Sequence, residues 1–306
     1  MLTTTLLPVA LVILLGLLLK RSQFVSEQFW KEADRMVYYV FFPGLLISKI
    51  ATMNLAEVEF FKITSITVAI LIGLSLILII LQYLKPVEAA TFTSVYQGAL
   101  RFNTFVSLSI IAAIWTTPLA LEVAALLVGV KVLLLNLLCV SIFAIYSERQ
   151  TTIRAKVALT LKNPLIIACL TGLLLNWLGI QIPDGLFATM DLLGRVALPL
   201  GLLSVGAGLV LRYSDCFSYP IVLSIVFKLL LAPLAAFALG AFFGLDVISH
   251  QVLVLFFAMP TAMSAYILAG QLGGDQITMA KIITIQTLLS AVTLSGILYW
   301  ISLTSA

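Results

Sequence analysis

The segment FFAMPTAMSAYILAGQLGG, residues 256–274, is apolar enough to lie in a bilayer and yet carries Pro260 near its start. Proline has no backbone N–H to donate and clashes with the turn before it, so a helix entering this segment is expected to break there. Carbonyls freed in hydrocarbon are costly unless protein or a water-filled cavity receives them. Thr261, Ser264 and Tyr266 stand beside the break as polar groups. A second segment, YQGALRFNTFVSLSIIAAIW (96–115), has a similar character. There Gln97, Arg101, Asn103, Thr104, Ser107 and Ser109 interrupt an apolar run. Arg101 and Asn103 at hydrocarbon depth must face protein or a cavity.

The two segments echo each other. NTFVSLSIIAA, from Asn103 to Ala113, lies over PTAMSAYILAG, from Pro260 to Gly270, and pairs Asn103 with Pro260, Thr104 with Thr261 and Ser107 with Ser264. Elsewhere Pro8 and Gly16, followed by LLL, match Pro164 and Gly172, followed by LLL, at an offset of 156 residues. The same offset takes Pro43 to Pro199, Leu46 to Leu202 and Ser48 to Ser204. Apolar runs long enough to span are expected at 2–20, 34–54, 60–84, 91–115, 118–146, 157–179, 186–211, 217–243, 249–271 and 278–302. The echo divides these ten spans into repeats of five, residues 1–150 and 157–306. An odd number of spans per repeat inverts the second copy. Inverted repeats whose helices are interrupted, here spans 4 and 9, are a recurring plan of secondary transporters, with the substrate held near the midplane.

Composition agrees. Of 306 residues, 62% are apolar and only 10% charged, and the mean hydropathy is +1.19. Soluble domains carry about 25% charged residues, so a soluble enzyme is excluded. Eleven Lys and Arg residues fall on one side of the predicted spans and only Lys62 on the other. The rich side is the cytoplasmic one, which puts both termini outside an inner membrane. The first span is read as uncleaved, because its positive charges follow the apolar run. The net charge of +4 marks cytoplasmic loops, and no basic run with interleaved aromatics suggests nucleic acid. Cys139, Cys169 and Cys216 have neither metal-ligand spacing nor a disulfide framework. Neither metal nor cofactor is expected. HExxH, G-x-S-x-G and Walker loops are missing, so no enzyme is expected. His250, the single histidine, is read as a capping or interfacial residue.

Four cations, Arg101, Lys131, Arg195 and Lys228, lie within spans, and Asp191 is the one plausible acid among them. Asp191 and Arg195, one helical turn apart, read as a structural pair. The surplus of positive charge suits an anion. FFPG (41–44) and LPLG (198–201) read as kinked packing helices, and Ser204 with Gly208 has the small-xxx-small spacing of a possible dimer face. The amphipathic link SEQFWKEADRMVYYV (26–40) begins with Ser26 as a helix cap.

Several stretches resemble the auxin efflux carrier family in its bacterial form. They are LPVALVILLGLLLKR, SEQFWKEADRMVYYVFFPGLLISKIA, RFNTFVSLSIIAA, KNPLIIACLTGLLLN, DLLGRVALPLGLLSVGAGL and MPTAMSAYILAGQLGGD. The resemblance implies an all-α integral membrane fold, similar to that of bile acid:sodium symporters. It implies ten helices in two inverted five-helix repeats. Helices 1, 2, 6 and 7 would form a scaffold that dimerises through helices 2 and 7. Helices 3–5 and 8–10 would form a mobile transport domain in which interrupted helices 4 and 9 cross. The helix 9 motif falls on Met259 to Ala262 and the helix 4 motif on Asn103 and Thr104. Many relatives have a proline soon after that second motif, where this chain reads SLSII. The first crossover is therefore expected to open by another route or to stay more helical. The implied activity is elevator-type transport of a small organic anion, a mono- or dicarboxylate of auxin-like or malate-like chemistry. Asn103, Thr104, Ser107, Thr261 and Ser264 would supply hydrogen bonds, Pro260 the open backbone, and Arg101 or Lys131 the charge. Two alternatives are a sodium-coupled symporter of larger amphipathic anions and a membrane sensor that binds without transport.

Overall fold

The computed structural model describes residues 2–54, 58–146, 163–209 and 218–304. Among these, fourteen α-helices and two π turns account for the regular structure, with no strand. Helix α1 spans Leu2–Arg21. Ser26 then caps α2, Glu27–Met36, by accepting the Phe29 N–H at 3.2 Å. A π turn, Val37–Phe41, carries α2 into α3, Phe42–Ala51. The amphipathic link expected ahead of the second span is thus the first part of one continuous helix. Pro43 has no N–H for the carbonyl of Tyr39, and the backbone before it widens, Phe42 donating to Val37. The same device recurs before Pro233, where the π turn Phe227–Leu231 joins α10, Tyr219–Val226, to α11, Ala232–Phe242.

Between these lie α4 (Phe60–Leu84), α5 (Ala89–Leu100), α6 (Thr104–Ile114), α7 (Pro118–Tyr146), α8 (Pro164–Trp177) and α9 (Asp184–Gly208). The chain continues with α12 (Val247–Phe257), α13 (Ser264–Leu272) and α14 (Gln276–Thr304). Among the described residues, six stretches are long and apolar enough to cross a membrane: α4, α5 with α6, α7, α9, α10 with α11, and α14. Helices α8 and α12 are shorter apolar helices. The protein is an all-α membrane protein. The start of the sixth predicted span, Arg149, Arg154, Lys156, Lys162, Arg212 and Cys216 lie outside the described residues.

Two groups of helices emerge from the packing. In the first, α1 lies on α9, while α3 lies on both α8 and α9. Backbones touch here because glycine leaves room: a Cβ on Gly16 would sit 2.0 Å from the Leu203 carbonyl oxygen, and one on Gly206 1.8 Å from that of Ile13. Gly172, the echo of Gly16, packs on α3, where a Cβ would meet Ile50 at 2.8 Å and the Ile47 carbonyl at 3.4 Å. Ile47 and Leu203 are themselves 156 residues apart. The two close approaches are therefore one contact made twice. This also answers the expectation for Ser204 and Gly208. Both are consumed inside the chain, Ser204 buried and Gly208 covered by Met263, so they offer no free face to a second copy. In the second group α4, α5, α7, α11 and α12 share an apolar core that continues into the first group, α10 and α13 pack in smaller clusters with α14, and α6 and α7 meet the first group.

Loops meet at both ends of the bundle. At one end Asp246 donates its N–H to Glu59 (3.0 Å), and Asn176 donates to the carbonyls of Ala51 and Met53 (3.1 and 2.7 Å). At the other, Lys85 lies 3.9 Å over the Tyr219 ring and Asp275 donates its N–H to Ala90 (3.1 Å). Asp191 accepts from Lys49 at 3.3 Å and from Arg195 at 3.0 Å. The expected pair is thus a three-member bridge that also ties α3 to α9.

Candidate functional site: two helix breaks in contact

The fourth and ninth spans expected from the sequence are both interrupted. Helix α5 ends at Leu100, Arg101 takes an extended conformation (ψ 156°), and α6 restarts at Thr104. Helix α12 ends at Phe257 and α13 begins at Ser264. The breaks touch: the Asn103 N–H donates to the Pro260 carbonyl at 2.8 Å. These are the two positions that the sequence echo sets opposite each other.

Side chains complete the joint. Thr261 donates its hydroxyl to the Gly98 carbonyl at 2.7 Å, with the Arg101 carbonyl at 3.3 Å. Gln286, from α14, accepts the Thr261 N–H at 3.0 Å and donates to the Gly98 carbonyl at 3.0 Å and the Ser224 hydroxyl at 3.1 Å. The end of α5 thus has its carbonyls received by α14 and the second break. Glycine is required at position 98, where a Cβ would lie 2.6 Å from Ile282 and Ser224. No proline opens this first break. Asn103 does so, as an N-cap whose side-chain oxygen accepts from Phe105 (3.1 Å) and Val106 (3.2 Å).

At the second break, the end of α12 meets a cation. Lys131 from α7 is fully buried and donates to the Phe256 carbonyl at 3.3 Å. Its ammonium lies 3.8 Å from the Phe257 ring centroid, 4.5 Å from that of Phe102 and 5.1 Å from that of Phe256. A cation at a helix C-terminus faces the negative end of the dipole, and desolvated aromatic faces strengthen it further. Helix α13, by contrast, starts without a side-chain cap.

Both breaks rest on α9. Phe105 stacks on Phe42 of α3 at 4.9 Å and sits over Gly201, where a Cβ would meet its ring at 2.8 Å. Two turns further on, Met263 covers Gly208. The LPLG and VGAG runs are thus where the broken helices bear on the first group.

Among the candidate residues, Asn103, Pro260 and Thr261 are brought into direct contact. Ser107 is buried and donates to the Asn103 carbonyl at 2.7 Å. Thr104 is half-buried, and Ser264 is exposed at the start of α13, away from that contact set. Arg101 lies in the first break, but its guanidinium reaches α7 and donates to Asn136 at 2.6 Å. Lys131 is enclosed by rings. Gln286, Ser224, Gly98 and Phe105 were not anticipated. A glutamine inside the apolar run ITIQTLL was the available signal for Gln286.

A sequence-family model described as "Membrane transport protein" matches residues 147–298. The chain belongs to this family. A relative from Rhizobium meliloti (strain 1021), named "Putative malonate transporter", is 31% identical over 140 residues. That stretch covers 45% of this chain and 44% of the relative, so the alignment spans less than half of either. The match bears out the resemblance to auxin efflux carriers, and the family is one of transport proteins rather than enzymes.

Proposed function

We propose that this family member is a secondary carrier that moves a small organic anion across the inner membrane by elevator-type alternating access. The observation that carries the reading is the contact between the two helix breaks, Asn103 N–H to Pro260 carbonyl. Broken helices place backbone dipole ends in mid-membrane, where transporters hold their cargo. The start of α13, which no side chain caps, offers the positive end of its dipole to a carboxylate, with Ser264 beside it and Thr104 as the other hydroxyl. Asn103, Ser107, Thr261 and Pro260 shape the crossing. Arg101 and Lys131 set its positive field. The relative's name supports a short dicarboxylate such as malonate.

In this reading the chain has ten spans in two inverted repeats, residues 1–150 and 157–306. The doubled Gly16–Leu203 and Gly172–Ile47 contact supports the duplication. Loop contacts support the ten-pass alternation, since Glu59 with Asp246, and Lys85 with Tyr219, join loops expected on one side. Helices 1, 2, 6 and 7 form the scaffold and dimerise through helices 2 and 7. The remaining helices slide on it, along Gly201 and Gly208. Both termini are extracytoplasmic.

The test is uptake of labelled malonate by reconstituted protein, with and without sodium. Uptake that Asn103→Ala and Pro260→Ala each reduce on the order of tenfold is expected. Wild-type uptake in both variants contradicts the site. Uptake that needs sodium and prefers bulky amphipathic anions supports the symporter alternative, and ligand binding without flux supports the sensor.

A further inference from the structure

A cavity of about 580 Å³ lies where α1 ends and α2 begins, lined by Leu17, Lys20, Arg21, Gln23, Val25, Ser26, Glu27, Trp30 and Leu209. Its volume falls within the range of about 300–1,000 Å³ typical of small-molecule sites. Its lining is divided in kind: Leu17, Val25, Trp30 and Leu209 on one hand, two cations and polar groups on the other. Lys20 and Arg21 end the first apolar run on the Lys/Arg-rich side, so the cavity sits where hydrocarbon gives way to head groups.

Charge in the cavity is incompletely balanced. Lys20 approaches Glu27 at 3.6 Å, a long pair between side chains 40% and 70% exposed. Arg21 makes no ion pair among the described residues. The bland role of both cations is to face the C-terminal dipole of α1. That role leaves the cavity between them and the start of α2 unexplained. Trp30, only 6% exposed, supplies part of its apolar wall.

We infer that this cavity binds the phosphodiester head group of a singly charged anionic phospholipid. The guanidinium of Arg21 takes two phosphate oxygens, a geometry to which a planar fork is suited. Lys20 adds charge, Trp30 packs as an apolar wall, and the acyl chains leave along Leu17 and Leu209. Glu27 opposes the anion and limits the site to one negative charge. The inference is independent of the cargo and of the helix crossing.

Native mass spectrometry of the full chain, purified in detergent with equal phosphatidylglycerol and phosphatidylcholine, tests it. Several-fold preferential retention of phosphatidylglycerol is expected. Lys20→Gln with Arg21→Gln should reduce the preference to about one. Glu27→Gln should raise it. A purely structural role for Glu27 predicts no rise. Equal retention of both lipids, or a preference untouched by the Lys20/Arg21 change, overturns the proposal. Displacement of the bound lipid by millimolar glycerol phosphate or inorganic phosphate would show that the site takes a free anion, and would overturn the lipid assignment.

Discussion

The two breaks meet at one hydrogen bond but are built in different ways. The first is short, Arg101 to Asn103, and its far side is closed by its own sequence: Asn103 turns the chain and caps the helix that follows. The second is longer, Ala258 to Met263, contains Pro260, and leaves α13 without a side-chain cap. Its near side is held from outside, by Lys131 on the Phe256 carbonyl and by Gln286 on the Thr261 N–H. A polar side chain can therefore replace a proline as the agent that stops a membrane helix. The replacement satisfies first-turn donors with its own side chain, whereas after the proline the Ala265 and Tyr266 N–H groups turn back on the Ala262 and Met263 carbonyls. In this account the first break is structural and the second receives the cargo.

The largest effect is expected from Gln286→Leu, which keeps bulk but removes the group that serves both breaks. Each buried polar group left unpaired should cost about 1–3 kcal/mol, read as a lower thermal midpoint of the purified protein, and uptake should vanish. An unchanged midpoint would show that the breaks are held by something other than α14. Next comes Asn103→Ala, with about 1 kcal/mol lost, and Asn103→Ser should restore most of it because serine also caps. Equal losses in both variants would mean that capping is not what Asn103 contributes.

Pro260→Ala sharpens the contrast further. If neighbours rather than proline hold the second break, the break survives and stability falls by only about 0.4–1 kcal/mol through the looser unfolded chain. Hydrogen exchange should still find the amides of Met259, Ala262 and Met263 less protected than those inside α12. Protection there would mean that the helix heals and that the proline alone makes the break.

The smallest effect concerns Asp275, in the loop after α13. Burial raises its pKa, but donation from the Thr278 hydroxyl and N–H and from Thr91 outweighs this, holding it below its ordinary 3.8. A carboxylate with a depressed folded pKa stabilises above its ordinary value and loses that contribution as pH falls through the folded one. Wild-type stability should therefore drop below about pH 4 more than that of Asp275→Asn. Parallel acid curves for the two proteins would remove Asp275 from the account.

Much of the frame was legible in the sequence. Apolar runs located the helices, because hydrocarbon demands them, and Pro260 with the echo at Asn103 located the breaks. What stayed hidden depended on direction. Arg101 and Lys131 carry the right charge for an anion. Composition could not tell that the first turns to Asn136 or that the second is enclosed by three phenyl rings. Ser264 matched Ser107 in the echo, but one lies exposed at a helix start and the other donates within its own helix. Gln286 lies in a span with no other landmark, and only its neighbours reveal its part. The small residues of α9 suggested a face for another copy. They are consumed within the chain, where α1, Phe105 and Met263 lie close.

The asymmetry of the breaks is tested most directly by chemical labelling in proteoliposomes that show uptake. With native cysteines replaced, Ser264→Cys at the uncapped start of α13 and Ser302→Cys near the end of α14 are reacted with a small thiol reagent, with and without the transported anion. The account predicts that the anion slows labelling at position 264 several-fold and leaves position 302 unchanged. Labelling at 264 that proceeds at the same rate while the anion is being transported would contradict it.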